Sequence, residues 1–315
     1  MKEMQFNYCD VEQRRWPARL WARIEVGVGL IGLLVTCGSL GFGAPSAKRA
    51  NCAAERSTAA AEVPFRIYKD NLIVVRATIG TMKNLNMVLD TGTNPSIITP
   101  ELSDRLKLAG KTESLQTING TTRTQSVTLP CLQIGPLRAS PIRVIVQNLR
   151  FGERSLGISL GGVAGLDILG TRSFTIDYRK KKIVVGPIAP SEKTVRFEKQ
   201  EPFLAVKVMI EGHPVRMLVD SGPMGLMVYR NRLHTTQEPL RFDSDAWVAG
   251  PGRITRIRWF RASVSLGKDS LGARNVAIAD LDSEPEIDFD GLLGFGNMGF
   301  HKLSFDFANG LFGWE

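Results

Sequence analysis

Cysteine and histidine are both scarce in this chain of 315 residues, which has four cysteines and three histidines. Cys9 and Cys37 lie in the N-terminal 47 residues, so that only Cys52 and Cys131 remain beyond them. This excludes a disulfide-rich scaffold and a cluster of cysteine ligands, although the last two could still pair with each other. The histidines have no ligand-like spacing. We therefore expect neither a metal site nor a cofactor.

Dense charge of one sign is also rare. The net charge is +9, but Lys and Arg are interspersed with Asp and Glu, and the one dense basic run is Arg179-Lys180-Lys181-Lys182. A nucleic-acid surface needs basic residues gathered on one face, with aromatic side chains that stack on bases. Because this run lies between two strand-like segments, it predicts a solvated hairpin turn instead. We expect no nucleic-acid partner.

Long apolar runs are absent except near the N-terminus. Four arginines between positions 14 and 23 precede an uncharged stretch from Val26 to Ala47, with its apolar centre at Val28–Val35. This order is typical of a secretory signal. The stretch is also about long enough to span a bilayer, so a cleaved signal peptide and a retained membrane anchor are both open. Either predicts that the rest is exported to a periplasmic or other extracytoplasmic location, tethered through residues 26–47 if the segment is kept.

The remaining chain contains an internal repeat. The motif Met87-Val-Leu-Asp-Thr-Gly92 returns 130 positions later as Met217-Leu-Val-Asp-Ser-Gly222. Two further blocks, Val163-Ala-Gly-Leu166 and Phe174-Thr-Ile-Asp-Tyr178, return 129 positions later in the same order. Three blocks in one order at one spacing predict a duplicated unit of about 120 residues.

Each copy has the pattern of strands and hairpins. Leu72–Ile79 alternates between its two faces, and residues 204–210 alternate in the same way. Asn119-Gly120 is a strong signal for a tight hairpin turn. Thr99-Pro100 predicts the start of a short helix that runs to Leu108. The sequence therefore predicts an all-β protein with two duplicated β-barrel lobes and a cleft between them.

The chain divides accordingly into five segments. These are a signal peptide or membrane anchor (1–47), a linker (48–62), an N-terminal lobe (63–187), an interlobe linker (188–200) and a C-terminal lobe (201–315). Since both lobes belong to one chain, we expect a monomer.

Asp90 and Asp220 occupy the same position in the two copies, at the end of an apolar strand. If the lobes face each other, the two carboxylates meet, and like charges held that close cannot both ionise. The pair then keeps one proton. A bridging water can lose a proton to the ionised member and attack a carbonyl, which the protonated member polarises. Thr91 and Ser221 directly follow the two aspartates, and the hydroxyl group of each can reach the opposite loop.

Asp90-Thr91-Gly92 and Asp220-Ser221-Gly222, each followed some 75 residues later by an apolar-apolar-Gly element, resemble the aspartic peptidase superfamily of pepsin and the retropepsins. Each lobe is more similar to the short retropepsin-type domain than to half of a pepsin. The resemblance covers residues 64–315 and implies acid-protease-type lobes, a peptide or protein substrate, and a hairpin flap over the cleft.

The resemblance also implies roles for individual residues. Asp90 and Asp220 would be the catalytic dyad of an aspartic endopeptidase, and Asn119-Gly120 would form the tip of the flap. The residues expected to support the catalytic loops are Thr91, Gly92, Thr93, Ser221, Gly222, Gly165 and Gly294.

The two copies depart from each other after the aspartates. Thr93 matches a family hydroxyl that hydrogen-bonds its aspartate, whereas the corresponding Pro223 offers no donor. Because donors favour a charged carboxylate, we predict that Asp90 is the more acidic member and that Asp220 carries the shared proton. The flap also lacks the tyrosine of pepsin-type enzymes.

Two further interpretations complete the analysis. Asp167, Asp177 and Asp306 lie at strand ends or turns and are predicted to be structural. Asp288 and Asp290 are predicted to be loop residues rather than metal ligands. The alternative function is a non-catalytic module that binds peptides or a cell-envelope ligand on the same fold.

Overall fold

The computed structural model describes most of the chain beyond position 59: residues 60–69, 72–117, 120–189, 191–200, 202–222, 225–232, 244–250, 253–279, 288–296 and 298–315. The expected signal or anchor segment lies outside these residues. None of the helices within them has the length and apolar character that crossing a membrane would need.

Strands dominate the described residues, which confirms the predicted all-β class. The first thirteen strands are β1 (Ala61–Tyr68), β2 (Leu72–Ile79), β3 (Met82–Leu89), β4 (Ile97–Ile98), β5 (Lys111–Thr117), β6 (Gly120–Leu129), β7 (Leu132–Ile134), β8 (Leu137–Ala139), β9 (Ile142–Val146), β10 (Gly162–Ala164), β11 (Phe174–Asp177), β12 (Lys182–Val185) and β13 (Thr194–Arg196). The others are β14 (Glu198–Gln200), β15 (Phe203–Ile210), β16 (His213–Val219), β17 (Leu226–Tyr229), β18 (Ser244–Gly250), β19 (Arg253–Leu266), β20 (Asp269–Ala279), β21 (Gly291–Leu293), β22 (Lys302–Asp306) and β23 (Leu311–Trp314).

Three short α-helices connect the strands of the N-terminal part: α1 (Pro100–Arg105), α2 (Arg150–Leu156) and α3 (Leu166–Leu169). A single turn of 3-10 helix covers Arg230–Arg232. The side chain of Thr99 caps α1 by accepting a hydrogen bond from the N–H of Leu102, as expected for threonine before proline. The helix ends at Arg105 and not at Leu108, because Lys107 adopts a left-handed φ of 52°.

The strands form two sheets. The fifteen-stranded sheet has the order β13-β23-β22-β11-β12-β1-β2-β3-β10-β4-β9-β6-β5, with β7 paired to β2 and β8 to β7. The eight-stranded sheet has the order β14-β15-β16-β21-β17-β20-β19-β18, with β15 also paired to β19. Their apolar side chains meet in one large buried cluster. A smaller cluster, which includes Leu149, Leu156 and Leu160, lies at α2.

The strands around the two aspartates have matching directions. In the fifteen-stranded sheet, β10 is parallel to β3 and antiparallel to β4, and β4 is parallel to β9. In the eight-stranded sheet, β21 is parallel to β16 and antiparallel to β17, and β17 is parallel to β20. Because β3 leads into Asp90 and β16 into Asp220, equivalent frameworks position the two residues.

The two halves of the chain join through β11 and β22, which pair in antiparallel register. Thr175 lies opposite Ser304, its counterpart in the repeat, and their hydroxyl oxygens are 3.1 Å apart. Next to them, the rings of Phe174 and Phe305 stack with centroids 4.7 Å apart. An antiparallel pair in which counterparts face each other has local two-fold symmetry.

Two expected linkers are shorter than predicted. The segment 188–200 contains β13, which pairs with β23, and β14, which pairs with β15. The segment 48–62 gives its last two residues to β1, where Ala61 pairs with Val185. In both places the polar sequence forms strands because it satisfies the backbone groups of neighbouring strands that would otherwise form exposed edges.

Cys131 is disulfide-bonded and lies in the short connection between β6 and β7. Its partner lies outside the described residues, as do Cys9, Cys37 and Cys52. The predicted alternative of a Cys52–Cys131 pair therefore stays a prediction.

Candidate active site

Each aspartate follows a buried strand and is held by the strand beside it. The backbone N–H of Asp90 donates to the carbonyl oxygen of Ala164 on β10, at 2.9 Å. The N–H of Asp220 donates to the carbonyl oxygen of Leu293 on β21, at 3.0 Å. Both aspartates are thereby fixed at the point where an apolar strand becomes a loop.

Thr91 and Ser221 lock the two loops together through four buried hydrogen bonds. The N–H of Thr91 donates to Ser221 Oγ at 3.0 Å, and the N–H of Ser221 donates to Thr91 Oγ1 at 3.1 Å. Their hydroxyls donate across to the opposite strands, from Thr91 to the carbonyl of Val219 at 2.9 Å and from Ser221 to that of Leu89 at 3.1 Å. The reciprocal pattern places the aspartates side by side.

The carboxyl groups of Asp90 and Asp220 are close enough that each shifts the pKa of the other. Both residues are almost fully buried, with 1% and 0% of their surface exposed. A Cβ atom added at Gly92 would lie 2.3 Å from Asp220 Cγ. Only glycine lets the backbone of the first loop approach the second carboxyl group this closely.

Unequal numbers of donors reach the two carboxylates. Asp90 accepts from the N–H of Gly92 through Oδ1 and from the Thr93 hydroxyl through Oδ2, both at 2.9 Å. Asp220 accepts from the N–H of Gly222 through Oδ1, at 2.8 Å, and no donor among the described residues reaches its buried Oδ2. A carboxyl group with fewer donors is the better place for a proton, because donors favour the ionised form.

The electrostatic environment has the same asymmetry. Burial raises the pKa of Asp90, while hydrogen bonds from Asp220, Gly92 and Thr93 act to lower it. Burial also raises the pKa of Asp220, and the charge of Asp90 and the bond to it raise that pKa further, well above its usual value. Only the Gly222 N–H opposes this. The directions of both pKa shifts favour Asp220 as the carrier of the shared proton, and that assignment stays a prediction.

Gly165 and Gly294 lie behind the two loops, as the repeat suggested. The N–H of Gly165 donates to Ser96 Oγ at 2.9 Å, and that of Gly294 donates to the carbonyl of Gly225 at 3.0 Å. A Cβ at Gly165 would lie 2.3 Å from the carbonyl oxygen of Thr93. Close packing of backbone on backbone explains a glycine at this position.

The expected flap is only partly described. Hairpin β5–β6 forms, with Thr117 paired to Gly120, but Asn119 lies outside the described residues. Pro223, on which the predicted asymmetry partly rests, lies outside them as well.

Sequence reasoning missed a second pair of glycines. A Cβ at Gly162 would lie 1.9 Å from the carbonyl oxygen of Ile97, and one at Gly291 would lie 2.0 Å from that of Met227. The sequence did contain a signal for them, because a glycine directly precedes each apolar-apolar-Gly element: Gly162-Val-Ala-Gly165 and Gly291-Leu-Leu-Gly294. These glycines let β10 and β21 pack against β4 and β17, which follow the loops of Asp90 and Asp220.

Sequence reasoning also missed Tyr229, at the end of β17. Its hydroxyl is buried, and no hydrogen-bond partner for it lies among the residues that the structure describes. Burial raises the pKa of Tyr229, and the nearby charge of Asp220 raises it further. The residue therefore adds a neutral group, and no charge, beside the dyad.

The other acidic residues singled out from the sequence have structural contacts. Asp167 accepts hydrogen bonds from both the N–H and the hydroxyl of Ser96. Asp288 forms an ion pair with Arg216, and Asp290 accepts from the backbone N–H of Arg216. Across the described residues, no group of three or more His, Cys, Asp or Glu side chains is arranged to hold a metal ion.

Residues 75–167 match the family model described as aspartyl protease. The matched segment includes the Asp90 loop, the hairpin β5–β6 and the Gly165 element. Among the curated proteins compared with the chain, none matches it. This segment is therefore similar to the retropepsin-like aspartyl proteases, and the all-β fold agrees with that similarity.

Proposed function

We propose that the protein is an aspartic endopeptidase with Asp90 and Asp220 as its catalytic dyad, in a cleft between two duplicated lobes. The observation that supports this most strongly is the pairing of two buried carboxyl groups from separate sheets. The reciprocal bonds of Thr91 and Ser221 hold that pair together. Burying two carboxylates without a cationic partner would be costly if they served a structural purpose alone, since each loses its hydration.

The arrangement supplies one base and one acid. Asp90, which accepts two hydrogen bonds, takes a proton from a water molecule as the water oxygen bonds to the peptide carbonyl carbon. Asp220 gives its proton to the carbonyl oxygen, so that a gem-diol forms. The C–N bond then breaks as Asp90 protonates the leaving nitrogen, and one gem-diol hydroxyl returns a proton to Asp220. The pair ends with the single proton with which it began.

Substrate must reach carboxyl groups that are closed off from solvent in this conformation. The family resemblance assigns the covering role to hairpin β5–β6. We propose that this hairpin opens to admit a peptide and closes over it, as lids that exclude water do in other enzymes.

The same burial favours one rival function, a non-catalytic module that binds peptides or a cell-envelope ligand. In that case the paired carboxyl groups would only hold the two sheets together. The two functions differ in whether the purified protein cuts peptides at any pH.

We also propose that the catalytic part is exported, and tethered to the membrane if residues 26–47 are retained. The basic and then apolar order of the N-terminal segment supports this. The disulfide at Cys131 supports it as well, because disulfides persist mainly in oxidising compartments.

Cleavage of a peptide library by the wild type, Asp90→Asn and Asp220→Asn proteins tests the proposed function. We expect wild-type cleavage at acidic pH and a loss of at least about 100-fold in each variant, since each removes an acid–base group. Cleavage that survives either substitution would remove that residue from the dyad. A wild type that cuts nothing between pH 3 and 8 would favour the binding module.

A further inference from the structure

We propose that Ser96 and Asp167 form a bracket that holds the Thr93 hydroxyl on Asp90 and so decides which carboxyl group of the pair is ionised. Both would be positioning residues, since they act on Asp90 through Thr93. The inference rests on the proposed function, because it concerns the same dyad.

The bracket is a partly buried network of short hydrogen bonds. Ser96 is fully buried, and its hydroxyl donates to Asp167 Oδ1 at 2.5 Å while it accepts from the N–H of Gly165 at 2.9 Å. The N–H of Ser96 donates to Asp167 Oδ2 at 2.7 Å. Asp167 thus binds both polar groups of Ser96, and a charged acceptor makes such bonds strong.

The bracket connects directly to Thr93. The N–H of Leu166, next to Asp167, donates to the carbonyl oxygen of Thr93 at 2.8 Å. The loop from Thr93 to Ser96 is therefore fixed at both ends by residues 165–167. Its fixed backbone directs the Thr93 hydroxyl at Asp90 Oδ2, 2.9 Å away.

The described residues of the second loop form no such bracket, and its sequence has no hydroxyl at the position of Thr93. Gly294 donates to the backbone carbonyl of Gly225, and Gly296 stands 129 positions after Asp167. Pro223 takes the place of Thr93 in the sequence. A bracket needed only to fold the loop would be expected in both copies. It accompanies the hydroxyl instead, which points to a role in orienting that hydroxyl.

Few charged groups face the network. Asp90 is faced by Asp220, and the charge of Asp220 is in turn felt by Tyr229. Burial raises the pKa of Asp167, and hydrogen bonds from Ser96 and from backbone N–H groups oppose the rise. No charged side chain among the described residues contributes to the shift of Asp167. An effect of Asp167 on Asp90 must therefore pass through the hydrogen bonds and not through another ion.

The pH dependence of kcat/KM provides the test. Its acid limb reports the ionisation of the free enzyme's more acidic carboxyl group, here Asp90. Asp167→Asn and Ser96→Ala each weaken the bracket, and we expect each to move the acid limb upward by about 0.5 to 1 pH unit, because Asp90 loses a well-oriented donor. Asp290→Asn is the matched control, since Asp290 also accepts a backbone N–H bond but does not contact the Asp90 loop. It should leave the acid limb in place.

A double substitution separates positioning from general loosening of the fold. Thr93→Val removes the hydroxyl itself and should shift the limb at least as far as Asp167→Asn. Adding Asp167→Asn to Thr93→Val should then give no further shift, because the two act on one bond. The proposal would be overturned if the acid limb of kcat/KM stays in place in both Asp167→Asn and Ser96→Ala. It would also be overturned if adding Asp167→Asn to Thr93→Val shifts that limb by as much as Asp167→Asn does alone. If Asp167→Asn does not fold, Ser96→Ala carries the same comparison.

A direct titration keeps this inference separate from the proposed function. The carboxyl 13C signal of Asp90 can be followed with pH in wild type and Asp167→Asn protein, whether or not peptides are cut. An upward move in the variant supports the bracket, and identical titrations contradict it. If the wild type fails to cleave peptides, the proposed function is contradicted, but the titration result still holds.

Discussion

The loops that carry Asp90 and Asp220 share their backbone interactions and differ in the groups around their carboxylates. Each aspartate N–H is bonded to the neighbouring strand, and Thr91 and Ser221 exchange equivalent bonds. Yet a hydroxyl reaches Asp90, whereas no donor among the described residues reaches Oδ2 of Asp220. A symmetric framework brings the two groups together, and local asymmetry gives them different surroundings. In the proposed mechanism this difference lets one carboxyl group act as base while its neighbour acts as acid.

The largest expected effect concerns the close approach of the first loop to the second carboxyl group. Gly92→Ala would place a Cβ atom 2.3 Å from Asp220 Cγ, so one of the two must move. A displacement of about 1 Å in a catalytic group lowers activity by about 100-fold. We expect that loss in kcat/KM on a peptide substrate. Gly152→Ala is the control, since its Cβ would lie 3.7 Å from its nearest neighbour and should be tolerated. Equal activity in the two variants would contradict the close contact.

The second prediction compares isosteric substitutions of the two aspartates by thermal unfolding. In Asp220→Asn, the new side-chain amide can donate a hydrogen bond to Asp90. In Asp90→Asn, the new amide must turn its N–H donors towards the N–H of Gly92 or the hydroxyl of Thr93. We therefore expect Asp90→Asn to lower the free energy of unfolding by about 1–3 kcal/mol, as for an unsatisfied buried group. Asp220→Asn should raise Tm near neutral pH by a few degrees.

The sign of the Asp220 effect follows from its raised pKa. The folded protein binds the Asp220 proton more tightly than the unfolded chain does. This contribution to stability is fully present below the unfolded pKa of about 4 and is lost as pH rises through the folded pKa. Asp220→Asn should accordingly have little effect on Tm at acidic pH and its largest stabilising effect at neutral pH. The opposite order, with Asp90→Asn the more stable protein, would reverse the assignment of the two carboxyl groups.

The last prediction concerns the lock, the reciprocal hydrogen bonds of Thr91 and Ser221, in which the two loops are alike. Thr91→Val and Ser221→Ala each leave buried backbone groups without a partner, and each should lower the free energy of unfolding by about 1–3 kcal/mol. Because they break the same network, the double variant should lose less than the two single losses combined. Chemical denaturation measures all three. Strictly additive losses, or a loss at only one position, would show that the lock is not reciprocal.

Much of the fold could be predicted because the repeat and the strand pattern are local features of the sequence. The alternation in Leu72–Ile79 became β2, and the apolar runs before Asp90 and Asp220 became β3 and β16. The strands in the expected linker 188–200 could not be seen in this way. Their polar residues form β13 and β14 because partners distant in the chain need them, and single-segment patterns do not contain that requirement.

The centre of the site was more predictable than its surroundings. Duplication singled out Asp90, Asp220 and the residues beside them, since each copy confirms the other. Ser96 and Asp167 occur in one copy only, and their contact joins residues 71 positions apart. Tyr229 lacked a signal for the same reason. Asymmetric features are invisible to repeat analysis, although they give the two aspartates different roles.

The location of the hydrogen shared by the dyad tests the central claim most directly. Neutron diffraction on crystals of the wild-type protein at acidic pH, where one of the two groups is ionised, would show it as deuterium. We predict deuterium on the carboxyl group of Asp220, with Asp90 accepting from Gly92, Thr93 and Asp220. Deuterium on Asp90, or carboxyl groups too far apart to share it, would contradict the proposed roles of the two aspartates.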